Sequence, residues 1–143
     1  MTSDLLEKEL TSWCASYVDA FNRYDAEKIG EHWSFPSLVI HDGQRATFKS
    51  ADHFLSNTSA LLNFYKRQHV NKVERELIDC MVASTDTAFM TVHDKMFGEQ
   101  EGCLVEWDAA YLLQRKDEVW RAVCAVADGE VSAWQARGTP LGS

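Results

Sequence analysis

Residues 70–128 read VNKVERELIDCMVASTDTAFMTVHDKMFGEQEGCLVEWDAAYLLQRKDEVWRAVCAVAD, and their pattern decides the fold. Apolar residues recur there with a period of two, which marks strands rather than helices. The alternation predicts strands over Val70–Ala83, Thr87–Phe97, Cys103–Arg115 and Val119–Asp128, rich in the Val, Thr, Trp, Tyr and Phe that suit a pleated surface. The breaks at Ser84-Thr85-Asp86, Gly98 to Gly102 and Lys116-Asp117-Glu118 are too short for a crossover, so neighbouring strands form an antiparallel meander. Strands this long cannot lie flat. Their right-handed twist coils the sheet and gives it a concave side.

The residues before this stretch supply what fills the concavity. Asp4 with Glu7 has the spacing of a capping box. Leu6, Leu10, Trp13, Cys14, Tyr17 and Phe21 then trace one face of a helix running to about Arg23. Asp25 caps a short second helix carrying Ile29 and Trp33, which Phe35-Pro36 ends because proline pushes its predecessor out of the α region. Ser37–His41, Asp42-Gly43 and Gln44–Phe48 read as a hairpin. Ser50 caps a third helix with Phe54, Thr58, Leu61, Leu62 and Tyr65 on one stripe. A short segment from Val131 to Ala136 carries Trp134. The expected class is α+β: a cone-shaped, curved antiparallel sheet with three helices from the N-terminal half on its concave face. Space the helices leave unfilled is a pocket.

Both faces of the last two strands are apolar. In Cys103–Arg115 one face holds Val105, Trp107, Ala109, Tyr111 and Leu113, while Leu104, Ala110 and Leu112 lie on the other. A sheet wet on its outer side would not look like this. The reading is a homodimer through the outer face.

The chain of 143 residues is one domain's worth, with 45% hydrophobic and 25% charged residues. Fourteen Lys and Arg against 22 Asp and Glu give a net charge of -8, which excludes nucleic acid and an anionic membrane surface as natural partners. The start, Met1-Thr2-Ser3-Asp4, has no basic or apolar leader pattern, and no apolar run is long enough to span a bilayer. Cys14, Cys80, Cys103 and Cys124 have no metal-ligand spacing and sit in apolar stretches, pointing to a reduced, cytoplasmic protein. No metal-binding or phosphate-loop motif occurs, so neither metal nor cofactor is expected.

Tyr17-Val18-Asp19-Ala20-Phe21-Asn22-Arg23-Tyr24-Asp25-Ala26-Glu27-Lys28-Ile29 resembles the first helix junction of the nuclear transport factor 2-like superfamily. Ala110 to Val123 resembles its last hairpin, and the order of elements is similar from about Asp4 to Asp128. The resemblance implies a cystatin-like cone, a SnoaL-like domain over residues 1–137, while Gly138 to Ser143 reads as a flexible tail. For its ketosteroid-isomerase-like and SnoaL-like branch it implies a pocket for an apolar, carbonyl-bearing small molecule. The chemistry would be proton transfer of the isomerase, cyclase or dehydratase kind, without a cofactor. The transport-factor branch implies the alternative, a non-catalytic binding or dimerisation module.

Family enzymes of the isomerase type use a helix-one tyrosine, a carboxylate ending the first strand and an acid on a later strand. By position these fall on Tyr17, on His41 or Asp42, and on Trp107 or Asp108 beside it. The residues themselves support a role for His41 as general base, since imidazole titrates near neutrality. Tyr17 is the matching donor to a developing oxyanion, or a packed core ring. Asp42 is a pocket residue or a turn residue. His93 and Asp94 are neighbours on one strand, so they point to opposite faces, and one of them faces the cone. Glu106 and Asp108 share a face, as a carboxylate pair with one pKa raised or as part of a solvated surface. Trp33, Trp107 and Trp134 line an aromatic pocket or belong to the core.

Overall fold

The computed structural model of the chain describes residues 2–100 and 102–143. Met1, at the start of the expected domain, and Glu101, in the turn expected between Gly98 and Gly102, lie outside the described residues. Helix α1 spans Ser3–Asn22 and buries Leu6, Leu10, Trp13, Cys14, Tyr17 and Ala20. Its cap is Thr2 rather than Asp4. Thr2 is extended, and its hydroxyl accepts from the Leu5 amide at 3.2 Å. Asp4 therefore lies inside the first turn, where its charge meets the positive end of the helix dipole.

Asp25 caps α2 (Ala26–Glu31) as its position suggests. Trp33, expected on the apolar face of that helix, instead opens strand β1 (Trp33–His41). A tight turn leads to β2 (Gln44–Phe48), with Asp42 at φ 49° and Gly43 at φ 72°. Left-handed backbone at both turn positions is the hairpin geometry that Asp-Gly favours. Ser50 caps α3 (Ala51–Arg67). The long strands follow as β3 (Val70–Ser84), β4 (Thr87–Gly98), β5 (Gly102–Lys116) and β6 (Val119–Val126). The chain then adds a fourth helix, α4 (Asp128–Arg137), ended by Gly138 at φ 90°. Residues 138–143 run back over the helix end: Leu141 packs on the core, and Arg67 Nη2 donates to the Ser143 carbonyl at 3.0 Å.

The six strands form one sheet in the order β2-β1-β6-β5-β4-β3. The meander from β3 to β6 is antiparallel, as the short turns require. The sheet as a whole is mixed, because β6 returns beside β1 and runs parallel to it. Register slips at Leu77/Asp79, Met96/Phe97 and Leu112/Leu113 add local twist and curve an unclosed sheet. The concave side presents Met90, Val92, Met96, Trp107, Ala109 and Leu113 to the helices, and all are buried. Strand alternation then fixes which polar residues must also point inward. These are Arg75 on β3 and Asp94 on β4, which face each other in register.

The opposite face carries a row of apolar residues in register across five strands: Met81, Phe89, Leu112, Cys124 and Leu38. Met81 is 58% and Phe89 46% exposed, so this row meets solvent in the single chain. No helix among the described residues is long and apolar enough to cross a membrane.

Candidate functional site

Between the helices and the concave face lies a cavity of about 140 Å³. Tyr17 and Phe21 of α1, Trp33 of β1, Phe54, Leu61 and Tyr65 of α3, and Trp107 and Tyr111 of β5 give it an aromatic and aliphatic wall. Into this wall the fold inserts one basic and two acidic side chains: Arg75, Asp94 and Glu130.

Arg75 and Asp94 form a bidentate pair, with Nε 2.7 Å from Oδ1 and Nη2 2.8 Å from Oδ2. Their side chains are 5% and 7% exposed. Nη2 also donates to the Tyr111 hydroxyl at 2.8 Å. The guanidinium plane lies 4.7 Å from the Tyr111 ring centroid and 5.3 Å from that of Tyr17, so two aromatic faces share its charge. Burial works against that charge, but Tyr111 and Asp94 outweigh it and hold Arg75 firmly protonated. The pair keeps a cation inside an apolar cone with no net charge.

Glu130 sits in the first turn of α4. The Tyr65 hydroxyl and the Trp134 indole N–H, the latter at 3.3 Å, both donate to its Oε2. Burial pushes its carboxyl up to about 7, and the two donors recover only part of that loss. Asp94 raises it further and Arg75 opposes. A carboxyl poised near neutrality in a water-poor cavity can give or take a proton, the condition general acid–base chemistry needs. Tyr17 accepts from Trp33 Nε1 at 2.9 Å, which leaves its own hydroxyl proton to give. Burial and the neighbouring Tyr111 raise the Tyr17 phenol well above its ordinary range, so it acts as a neutral donor.

The structure gathers some of the residues expected from the sequence and scatters others. Tyr17, Trp33 and Trp107 line the cavity. Trp134 stands behind its wall, fully buried against Phe64 and Tyr65, and reaches the site through Glu130. His41 shares the face of Val39, two residues further along β1, and is not among the cavity-lining residues described. The turn into α4 lies across that end of the strand: Ala127 N–H donates to the Ile40 carbonyl, and Asp42 N–H to Asp128 Oδ1. Ala127 and Glu130 line the cavity, and Asp42 is an exposed turn residue.

His93 and Asp108 lie on the outer face. His93 Nδ1 is 2.7 Å from Asp108 Oδ1, and its Nε2 is 2.8 Å from Glu106 Oε1. Two carboxylate acceptors want both ring nitrogens protonated, and their hydrogen bonds raise the His93 pKa. The same contact lowers that of Glu106, so of the two readings of Glu106 and Asp108 the solvated outer surface holds and the raised pair does not. Of the adjacent pair His93 and Asp94, it is Asp94 that faces the cone.

Comparison with known proteins agrees with the architecture. No curated protein matches the chain. Among solved structures it is similar to a domain of unknown function with a cystatin-like fold from Nostoc punctiforme, with TM-score 0.68 and 16% identity over 87% of this chain and 77% of that one. A ketosteroid isomerase-like protein from Erwinia carotovora superposes with TM-score 0.63 and 15% identity, covering 83% of this chain and 92% of that one. An NTF2-like family member from Streptomyces avermitilis, provisionally called a dehydratase, gives TM-score 0.62 and 16% identity over 87% and 96%. Identities this low establish the fold alone. The family described as NTF2-like protein (DUF6841) matches residues 8–130, nearly the whole of the cone, and the chain belongs to it.

Proposed function

We propose that the cone binds a small, apolar, carbonyl-bearing molecule and moves a proton on it, with Glu130 as the acid–base group. One observation carries this reading: a carboxyl with its pKa near 7 at the wall of an aromatic cavity. A merely structural acid would sit at the surface or be paired with a cation. Glu130 instead faces a tyrosine and a tryptophan, and the cation of the cone is already taken by Asp94. The isomerase-like and dehydratase-like names of two structural relatives are in keeping with this class of chemistry. The cavity of about 140 Å³ is near the size that admits one benzene ring, which favours a single-ring ligand over a four-ring steroid.

The test needs no natural substrate. Glu130 as base removes a proton from the carbon beside a carbonyl, and returning a deuteron from D₂O labels that carbon. Cyclohex-2-enone should exchange its acidic protons faster with the protein than in buffer. Glu130→Gln should lose that acceleration by about a hundredfold, the scale of general acid–base catalysis. Equal rates for both proteins would remove the assignment.

The working form we propose is a homodimer through the apolar outer row, in a reducing, cytoplasmic setting. The half-exposed Phe89 and Met81 support the first, and four free thiols support the second.

A further inference from the structure

We propose that the cavity's ligand is a neutral, single-ring carbonyl compound and that Arg75 Nη1 is the seat of its oxygen. This rests on reading the cone as a proton-transfer site and names the group that receives the charge. The argument begins with a donor count. A guanidinium carries five N–H groups. Nε gives one to Asp94, and Nη2 gives one to Asp94 and one to Tyr111. Nη1 is buried and finds no acceptor among the described residues. The Cys14 thiol beside Arg75 is a weak acceptor and no substitute for oxygen. A buried, unanswered donor on a charged group is costly, and proteins seldom keep one without use.

The rest of the wall leans the same way. Tyr17 accepts from Trp33, and Tyr111 accepts from Arg75, so each hydroxyl keeps its own proton to donate. Among the Arg75 nitrogens, Nη1 alone lacks an acceptor. The missing counterpart is an acceptor oxygen.

Charge decides what kind of oxygen. Arg75 and Asp94 cancel, and Glu130 becomes anionic as it titrates near 7. A carboxylate ligand would add an anion beside two others with one cation among them, in a setting where charges are poorly screened. A ketone or enone adds none. Its oxygen turns negative only during the reaction. When Glu130 takes the α-proton, the C–H electron pair forms a carbon–carbon double bond, and the carbonyl pair moves onto oxygen. The enolate oxygen then meets the Nη1 donors, and return of the proton from Glu130 to carbon restores the carbonyl. Stabilisation that grows with the developing charge is the kind that lowers a barrier.

The experiment compares three probes of similar size: cyclohex-2-enone labelled with carbon-13 at the carbonyl, benzoate and toluene. The enone should bind wild-type protein at least about tenfold more tightly than either other probe, the scale set by a buried donor left unpaired. Its carbonyl resonance should move downfield on binding. Arg75→Met alone would strand Asp94, so the informative variant is Arg75→Met with Asp94→Leu. That variant should still bind toluene but lose the enone preference and the downfield shift. As a second readout in wild-type protein, the Arg75 side-chain nitrogen-15 resonances should respond to the enone and not to toluene. A preference that survives the double change, benzoate or toluene binding as well as the enone, or no binding of any probe overturns the assignment. Enone held at Arg75 without proton exchange would remove only the proton-transfer reading. Exchange at the wild-type rate in the double variant would remove only the Arg75 seat.

Discussion

Glu130 loses water on every side when the chain folds, and the Tyr65 and Trp134 donors repay only part of that loss. Its carboxyl therefore holds a proton up to about 7, against an ordinary value of 4.5. The sign of the pH effect follows. Below 4.5 both folded and unfolded chains are protonated there, and the burial of a neutral acid is tolerated. Between 4.5 and 7 the unfolded chain releases the proton first, so stability falls as pH rises through that window. The loss is on the order of 3 kcal/mol, from a shift of about two and a half pKa units. Urea unfolding at pH 4.5 and pH 8 should show it in the wild type, and the difference between wild type and Glu130→Gln should shrink toward zero at the lower pH. Arg75 behaves oppositely to a titrating group, since it stays charged throughout. Arg75→Met alone leaves a buried Asp94 without its cation and should cost about 3–5 kcal/mol. Adding Asp94→Leu should recover most of that in the same unfolding measurement.

Helix α4 is the element that places the site, and Gly129 is where it touches the sheet. A Cβ at Gly129 would stand 2.6 Å from the Asp108 carbonyl and 3.1 Å from the Trp107 Cβ. The first of these is backbone and cannot step aside. Gly129→Ala should therefore lift the first turn of α4 off β5, at about 1–3 kcal/mol. Carbon-13 titration of the Glu130 carboxyl should then show its pKa falling toward 4.5 as water enters. Elements also explain how much was legible beforehand. The strands are legible in the sequence because alternation over ten or so residues is a strong signal. The same alternation separates His93 from Asp94 and puts Glu106 with Asp108, but only the packing of β4 and β5 against the helices decides which face is inward. What alternation cannot give is a partner. Arg75 looks like one charge among several in Val70–Ser84 until register sets it opposite Asp94. Glu130 was hidden for another reason: α4 has no broad apolar stripe, burying only Glu130 and Trp134. A buried glutamate is invisible to any rule that assigns charge to the surface. The hairpin position of His41 says nothing of the turn into α4, which crosses the end of β1 through the Ala127–Ile40 hydrogen bond.

The two faces of the sheet differ in what they carry. The concave face holds the cavity, and the convex face holds the apolar row. Sedimentation at micromolar concentration should give about twice the chain mass, and Leu112→Arg, in the middle of that row, should give the mass of one chain. A wild-type monomer would leave the row without its proposed cover. The cavity lies on the opposite face, so the Leu112→Arg protein should keep it. If the cavity moves protons through Glu130, the pH profile of deuterium exchange into cyclohex-2-enone must carry the titration of that carboxyl. Corrected for exchange in buffer, the wild-type rate should rise with pH as the carboxyl ionises and level off above about 7. Glu130→Gln should show no such rise. A profile that levels near 4.5, or the same curve from both proteins, would contradict it.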